Sequence, residues 1–329
     1  MSIVVHKNYD ELFSLDNLFF AWRIFRRGKG SKKDVMDFEM HLEDNIFALY
    51  EEIKNDKYRH SLYRHFQIFD NKKRDIYKAE VKDRIIHQII YDYLLHLFEP
   101  SFIADSYASR KDKGQYRAVN TLRYFVKLSF IKKQSVYILK CDVKKYFDSI
   151  DHKILLGLIE EKVHCGKVFK IIEELVSSYH SFLGSSKGIP LGNVTSQIFA
   201  NIYLNVLDQY IKKDLKCRFY VRYNDDIVIV FRDSKNAMDV RDKIILFVKE
   251  KLSLDIPLPK TSIRKIGWGV DFLEFTILPQ AILLRNKTKN KIYTNISQKN
   301  AYSYIGILKH CNSYNLRTKI LAMEKIYKI

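Results

Sequence analysis

The sequence predicts a mixed α/β (α+β) protein, and three observations carry that prediction. Apolar residues recur at helical spacing from Val81 to Leu97, through Ile85, Ile86, Ile89, Ile90 and Leu94. Strand-forming runs bracket polar turns twice, around Asp70–Arg74 and around Asn224–Asp226. The run Val136-Tyr-Ile-Leu-Lys-Cys-Asp142 reads as a buried strand that ends in an acid.

Composition limits what such a fold can be for. A chain of 329 residues with 47% hydrophobic and 14% aromatic residues can bury a real core and is not disordered. Its 57 basic against 38 acidic residues give a net charge of +19, which points to a polyanion, with nucleic acid ahead of an anionic membrane surface. No apolar span of about 20 residues is present to cross a bilayer. No charged-then-apolar signal opens the sequence, so a cytoplasmic protein without membrane contact is expected. Cys141, Cys165, Cys217 and Cys311 are scattered, with no Cys/His cluster for zinc and no disulfide framework. With 5 prolines and 11 glycines there is little material for a linker.

In chain order, Leu12, Leu15, Leu18 and Trp22 mark one helix, and Phe38, Leu42, Phe47, Leu49 and Ile53 a second. Between them Arg23, Arg26, Arg27, Lys29, Lys32 and Lys33 form a basic patch, either solvated surface or a phosphate contact. The hairpin that follows puts Lys72, Lys73 and Arg74 at its tip, as donors to phosphate oxygens or as an exposed turn. Pro100 stops the helix that begins at Val81. Arg110, Lys111 and Lys113 precede a helix over about 116–130, near an end that suits anions. Asp142 either meets a cation or caps the turn after it. Ser149 or Asp151 caps the next helix.

Gly184 to Gly192 is a glycine-punctuated loop opening a helix over 193–211, where backbone amides can approach a ligand. It lacks the Lys-Ser/Thr ending of a nucleotide-hydrolase loop. Phe219–Phe231 then reads as strand, tight turn and strand, since Asn and Asp tolerate left-handed backbone. Two adjacent carboxylates, Asp225 and Asp226, sit at its tip, as a solvated turn or a Mg²⁺ seat. A helix over 237–252, an extended turn at 258–261 and a strand at 270–277 follow. Residues 280–329 hold 10 basic residues against one acid, with Tyr302, Tyr304, Tyr314 and Tyr327 among them. Rings among cations suit a nucleic-acid groove, although helical tyrosines are more often core. If the strands ending in Asp142 and in Asp225–Asp226 share a sheet, three carboxylates meet, as two-cation phosphoryl transfer requires.

These motifs resemble those of reverse transcriptases, and more narrowly the branch found in diversity-generating retroelements. Tyr223-Asn-Asp-Asp226 looks like the family's catalytic box, and Asp142-Val-Lys-Lys-Tyr-Phe-Asp148 like its first catalytic motif. Gly188-Ile-Pro-Leu-Gly-Asn-Val-Thr-Ser-Gln197 is similar to the motif between them, in that branch's form. Most reverse transcriptases carry Gln at the position of Leu191 and Pro at that of Gln197. Pro259-Lys260-Thr261 looks like the lysine motif, and Asp271-Phe-Leu-Glu-Phe275 like the primer grip. Asn224 is a departure, since Met, Ala or Val is commoner there.

The resemblance implies a right-hand polymerase: N-terminal helices and fingers over 1–130, palm over 131–278 and a short basic helical thumb over 279–329. Asp142, Asp225, Asp226 and the Val143 carbonyl would hold two Mg²⁺ ions, which Mn²⁺ can replace, with Asp226 the weaker ligand. Lys260 would neutralise or protonate the leaving pyrophosphate. Arg74, with Lys72 or Lys73, would hold the triphosphate, and Phe147 would exclude a ribose 2′-hydroxyl. Leu191, Gly192 and Gln197 would border the nucleotide. Arg110, Lys113, Phe272, Leu273 and Lys309 would contact nucleic acid. The expected partners are template RNA, a DNA primer or cDNA, deoxynucleoside triphosphates and a small basic accessory protein. Leu191 offers shape where Gln offers hydrogen bonds, so error-prone copying is expected, concentrated at template adenines. Reverse transcriptases of retrons, group II introns or antiviral systems, and an idle RNA-binding protein on a polymerase scaffold, are the alternatives.

Overall fold

A computed structural model describes residues 8–69, 73–129, 135–182, 184–297 and 300–326. The chain forms two compact units from interleaved segments: residues 1–102, 145–208 and 248–254 in one, and 103–144, 209–247 and 255–329 in the other.

The first unit is mainly helical. Tyr9–Leu12 and Leu15–Arg26 are capped by Asn8 and Ser14, whose side chains accept from the backbone amides of Glu11 and Asn17. The single helix expected across Phe38–Ile53 is two, Lys33–Met40 and Leu42–Lys54, broken at His41. The break lets Val35, Ile46, Leu49 and Ile53 all be buried, while Phe47 stays exposed.

Strands β1 (Arg64–Phe69) and β2 (Lys73–Lys78) pair antiparallel, Phe69 opposite Lys73. The tip that holds Lys72 lies outside the described residues. The helix Val81–Phe98 buries its apolar residues together with Asp83 and His87. Both polar groups are satisfied: Asp83 accepts from the Tyr58 hydroxyl and the Ser61 amide, and His87 Nδ1 lies 2.6 Å from Thr195 Oγ1. Burial lowers the His87 pKa to about 3, so the ring is neutral.

Asp151, rather than Ser149, caps His152–Glu160, accepting from the amides of Lys153 and Ile154. The glycine loop is fastened to β2. Leu191 O accepts from Tyr77 N at 2.9 Å, and Asn193 Nδ2 donates to Tyr77 O at 2.9 Å. Gly192 lies between these bonds at φ +120°, and a Cβ there would stand 2.9 Å from Ile76 Cγ2.

The second unit contains two antiparallel sheets. The larger has the order β4-β5-β3-β6, with β3 Tyr137–Asp142, β4 Tyr220–Tyr223, β5 Asp226–Phe231 and β6 Thr261–Lys265. Both faces of β3 and β5 are buried, which explains their nearly unbroken apolar sequences. The smaller sheet is β7 (Val270–Phe272), β8 (Phe275–Ile277) and β9 (Ile282–Leu284).

Two expectations change here. The extended turn expected at 258–261 is instead a single 3₁₀ turn, Leu258–Lys260, that leads into a strand, β6, paired with β3. The single strand at 270–277 is a hairpin, because Leu273 adopts left-handed backbone (φ 55°) and reverses the chain. The fold still buries both arms, since Val270, Phe272, Phe275 and Ile277 share one core with Val119, Leu122 and Ile138.

Gly192 and Gly184 both have positive φ, but a Cβ at Gly184 would meet nothing within 4 Å. Gly192→Ala should therefore cost about 1 kcal/mol or more beyond the cost of Gly184→Ala in urea unfolding. Equal costs would show that the loop does not sit closely on β2.

A candidate active site at the end of the larger sheet

The site is assembled by register. In the β3–β5 pair Asp142 lies directly opposite Asp226, and Tyr223 pairs with Asp226 across a two-residue turn of Asn224 and Asp225. Asn224 takes the left-handed conformation the turn needs, at φ 51°. Beneath the turn Arg222 is fully buried, and its Nη1 donates to Asn224 O at 3.0 Å. Arg222 also exchanges backbone hydrogen bonds with the loop before the helix Gln115–Ser129: its amide donates to Asp105 O, and its carbonyl accepts from Tyr107 N.

Side chains alternate along a strand, so Ile138, Lys140 and Asp142 share one face with their partners Val230, Val228 and Asp226. Ile138, Val228 and Val230 belong to the core, and the acids lie at the end of that apolar face. Opposite-facing Cys141 is buried, which pushes its thiol up to about 12 and leaves it unreactive.

Crowding sets the electrostatics. Burial, then the neighbouring Asp226 and Asp142, pushes the Asp225 carboxyl up to about 6. The other two acids are met by ammonium groups. Lys260 Nζ donates to Asp142 Oδ1 at 2.6 Å and to the Val143 carbonyl at 3.1 Å. Lys140 Nζ lies 3.0 Å from Asp226 Oδ1 and donates to Asp271 O at 3.2 Å. Among the described residues no group of three His, Cys, Asp or Glu side chains closes around a metal-sized space.

The donor set nevertheless fits a hard divalent cation. It offers carboxylate oxygens and a carbonyl oxygen, the ligands Mg²⁺ accepts. Lys260 already places a positive charge on two of them, Asp142 and Val143. Asp225 carries a charge penalty that a cation would relieve.

The remaining candidates divide between the units. In the first unit Arg74 and Lys73 are exposed on β2, and Phe147 is partly buried, its carbonyl accepting from Ile189 N at 2.9 Å. Leu191 is partly buried and Gln197 lies on the helix Val194–Gln209.

In the second unit Arg110 Nη1 donates to the carbonyls of Ile103 and Ser106, and Lys113 Nζ to that of Ala104. Phe272 is fully buried, so its ring is a core group, and the adjacent turn presents Leu273. Lys309 lines a cleft of about 660 Å³ with Lys289, Arg317, Tyr293 and Tyr314. Sequence reasoning missed Lys140, Arg222 and Arg285. Alternation from Asp142 would have placed Lys140 on the acids' face; nothing local distinguishes the other two.

Residues 69–307 match the family model described as reverse transcriptase (RNA-dependent DNA polymerase). The chain belongs to the reverse transcriptase family. It is 25% identical over 305 residues to the group II intron-encoded protein LtrA of Lactococcus lactis, across 81% of this chain and 49% of that protein. Protein YkfC of Escherichia coli K12 is 23% identical over 243 residues, across 62% of this chain and 63% of its own length. The chain thus spans about half to two-thirds of these relatives. Among solved structures, apo telomerase from Candida tropicalis superposes with a TM-score of 0.51 at 14% identity, over 74% of this chain and 60% of that one. Telomerase from Candida albicans gives 0.50 at 16% identity, over 78% and 54%. This reverse transcriptase therefore has the right-hand polymerase fold.

The raised Asp225 pKa has a definite sign. Its contribution to stability is fully present below about pH 4, the unfolded value, and is lost as pH rises through about 6. Without divalent cation, Asp225→Asn should stabilise the protein at pH 7.5 by on the order of 2 kcal/mol and have little effect at pH 4. Differential scanning calorimetry at the two pH values checks this. Equal effects at both would contradict the crowding.

Proposed function

We propose that this chain is an RNA-directed DNA polymerase whose catalytic carboxylates are Asp142, Asp225 and Asp226. The observation that supports it most is the placement of Asp142 opposite Asp226 with Asp225 in the turn between paired strands. Asp142, Asp225, Asp226 and the Val143 carbonyl would hold two Mg²⁺, or Mn²⁺ in their place. Bound there, the ions supply charge neutralisation for the triphosphate and activation of the primer hydroxyl.

The rest is positioning by the chain. The sheet fixes the spacing of the carboxylates. Lys260, beside Asp142 and the Val143 carbonyl, would neutralise or protonate the leaving pyrophosphate. Arg74, with Lys72 or Lys73, would hold the triphosphate from the fingers (residues 1–130). Phe147 excludes a 2′-hydroxyl, and Gly192 lets the backbone approach the nucleotide. Leu191 and Gln197 would border the nucleotide as well. Arg110 and Lys113 at the end of the fingers, and the Leu273 turn in the palm (131–278), guide template and primer. The cationic cleft around Lys309 grips the duplex in the thumb (279–329), where phosphate contacts do not depend on sequence.

The finer reading is a cytoplasmic enzyme of a diversity-generating retroelement. It copies a template-repeat RNA into error-prone cDNA for mutagenic retrohoming, assisted by a small basic accessory protein. Leu191 and Gln197 favour this branch, because they replace the commoner Gln and Pro. The similarity to LtrA over 81% of the chain favours a group II intron enzyme as the second reading. Sequencing cDNA made from a defined RNA separates the two by error spectrum.

Primer extension on RNA with Mg²⁺ should fall by a factor of about 10³ or more in Asp142→Ala and Asp225→Ala. Extension that survives these changes would refute the site. Leu191→Gln should lower misincorporation several-fold, and unchanged error frequencies would remove Leu191 from selectivity. Phe147→Ala should raise ribonucleotide incorporation at least tenfold relative to deoxynucleotide; an unchanged ratio would remove the gate.

A further inference from the structure

Lys140 is spent on neither the core nor the solvent. It lies on β3 two residues before Asp142, on the acids' face, in the strand flanked by β5 and β6. Its ammonium bridges Asp226 Oδ1 at 3.0 Å and the Asp271 carbonyl at 3.2 Å. Asp271 opens the β7–β8 hairpin and is itself held from two sides. Thr276 Oγ1 donates to its Oδ1 at 2.6 Å, and Arg285 Nε lies 3.1 Å from its Oδ2.

Arg285 also donates from Nη1 to Leu273 O at 2.9 Å and from its amide to Glu274 O at 3.1 Å. The reversal at Leu273 is thereby fastened to Asp271, and Asp271 to Asp226 through one lysine. The hairpin has no other anchor of this kind, among the described residues, to the carboxylate pair.

We propose that Lys140 is a positioning residue that sets the Leu273 turn and the Asp226 carboxylate at a fixed separation. The chemistry suits the task. An ammonium has three donors and no acceptor, so it can satisfy a carboxylate and a carbonyl at once without choosing between them. It also offsets one negative charge of the three-acid cluster without occupying the Asp142 and Val143 oxygens that Lys260 covers.

For a polymerase, a hairpin that carries the primer end must hold it in line with the carboxylates. A misplacement of about 1 Å costs on the order of 10²-fold in rate. Lys140 thus converts the rigidity of the larger sheet into alignment of the smaller one. Only this consequence for rate rests on the polymerase reading; the tether itself is a statement about the protein alone.

The test compares the full chain with Lys140→Met, which keeps the length of the side chain without its charge, and Lys140→Arg, which keeps charge and donors. Amide hydrogen exchange of the metal-free protein is followed by mass spectrometry. In Lys140→Met the amides of 271–275 should exchange about tenfold faster, while those of Val81–Phe98 keep their protection. Lys140→Arg should restore most of the difference.

In single-nucleotide extension, Lys140→Met should lower kcat about tenfold with the nucleotide KM within about twofold. Unchanged exchange at 271–275 in Lys140→Met would overturn the proposal. So would equal loosening of Val81–Phe98, which marks general destabilisation, or Lys140→Arg behaving like Lys140→Met. If the unaltered protein extends no primer, the polymerase reading fails and hydrogen exchange still decides the tether.

Discussion

Three carboxylates at the end of one sheet repel each other, and the neighbouring structure is arranged around that repulsion. The β3–β5 register forces Asp142 and Asp226 together, and the turn adds Asp225. Burial of Asp225 sharpens the conflict, which is why its proton is held up to about pH 6. Two lysines relieve it from opposite directions: Lys260 at Asp142 and Lys140 at Asp226. The proposed function gives this cluster a purpose, since a divalent cation would offset the charge that the two lysines only partly balance.

The scaffold can hold that conflict because it is stiff. β3 and β5 are covered on both faces, and Arg222 is buried beneath the turn with a donor on Asn224 O. A left-handed Asn224 and the buried arginine fix the backbone, so the carboxylates cannot separate by relaxing the turn. Functional geometry here comes from secondary structure with little freedom, as precise placement of charged groups requires.

The parts of this arrangement that were legible in the sequence are those encoded locally. The Asn224–Asp226 turn between β-branched runs, the acid ending β3 and the periodicity of Val81–Phe98 each follow from a few neighbouring residues. What was not legible depends on partners far along the chain. Lys260 meets Asp142 across 118 residues, and Lys140 reaches Asp271 across 131. Neither contact leaves a periodic trace. The hairpin at Leu273 was missed because Leu seldom adopts positive φ, and Phe272 and Phe275 read as one continuous strand. β6 escapes a local reading because Thr261-Ser-Ile-Arg-Lys265 has one apolar residue among four polar ones and resembles a polar loop. The break at His41 carries no Gly or Pro to mark it.

The proposed chemistry requires above all that the end of the larger sheet bind divalent cations through Asp142, Asp225 and Asp226. Electron paramagnetic resonance of Mn²⁺, counting bound ions during titration in the presence of a primer-template and a non-hydrolysable nucleotide, measures it without turnover. Two bound ions per unaltered chain, with fewer than one in a chain carrying Asp142→Asn and Asp225→Asn together, is the expected result. The same Mn²⁺ count in both proteins would contradict it.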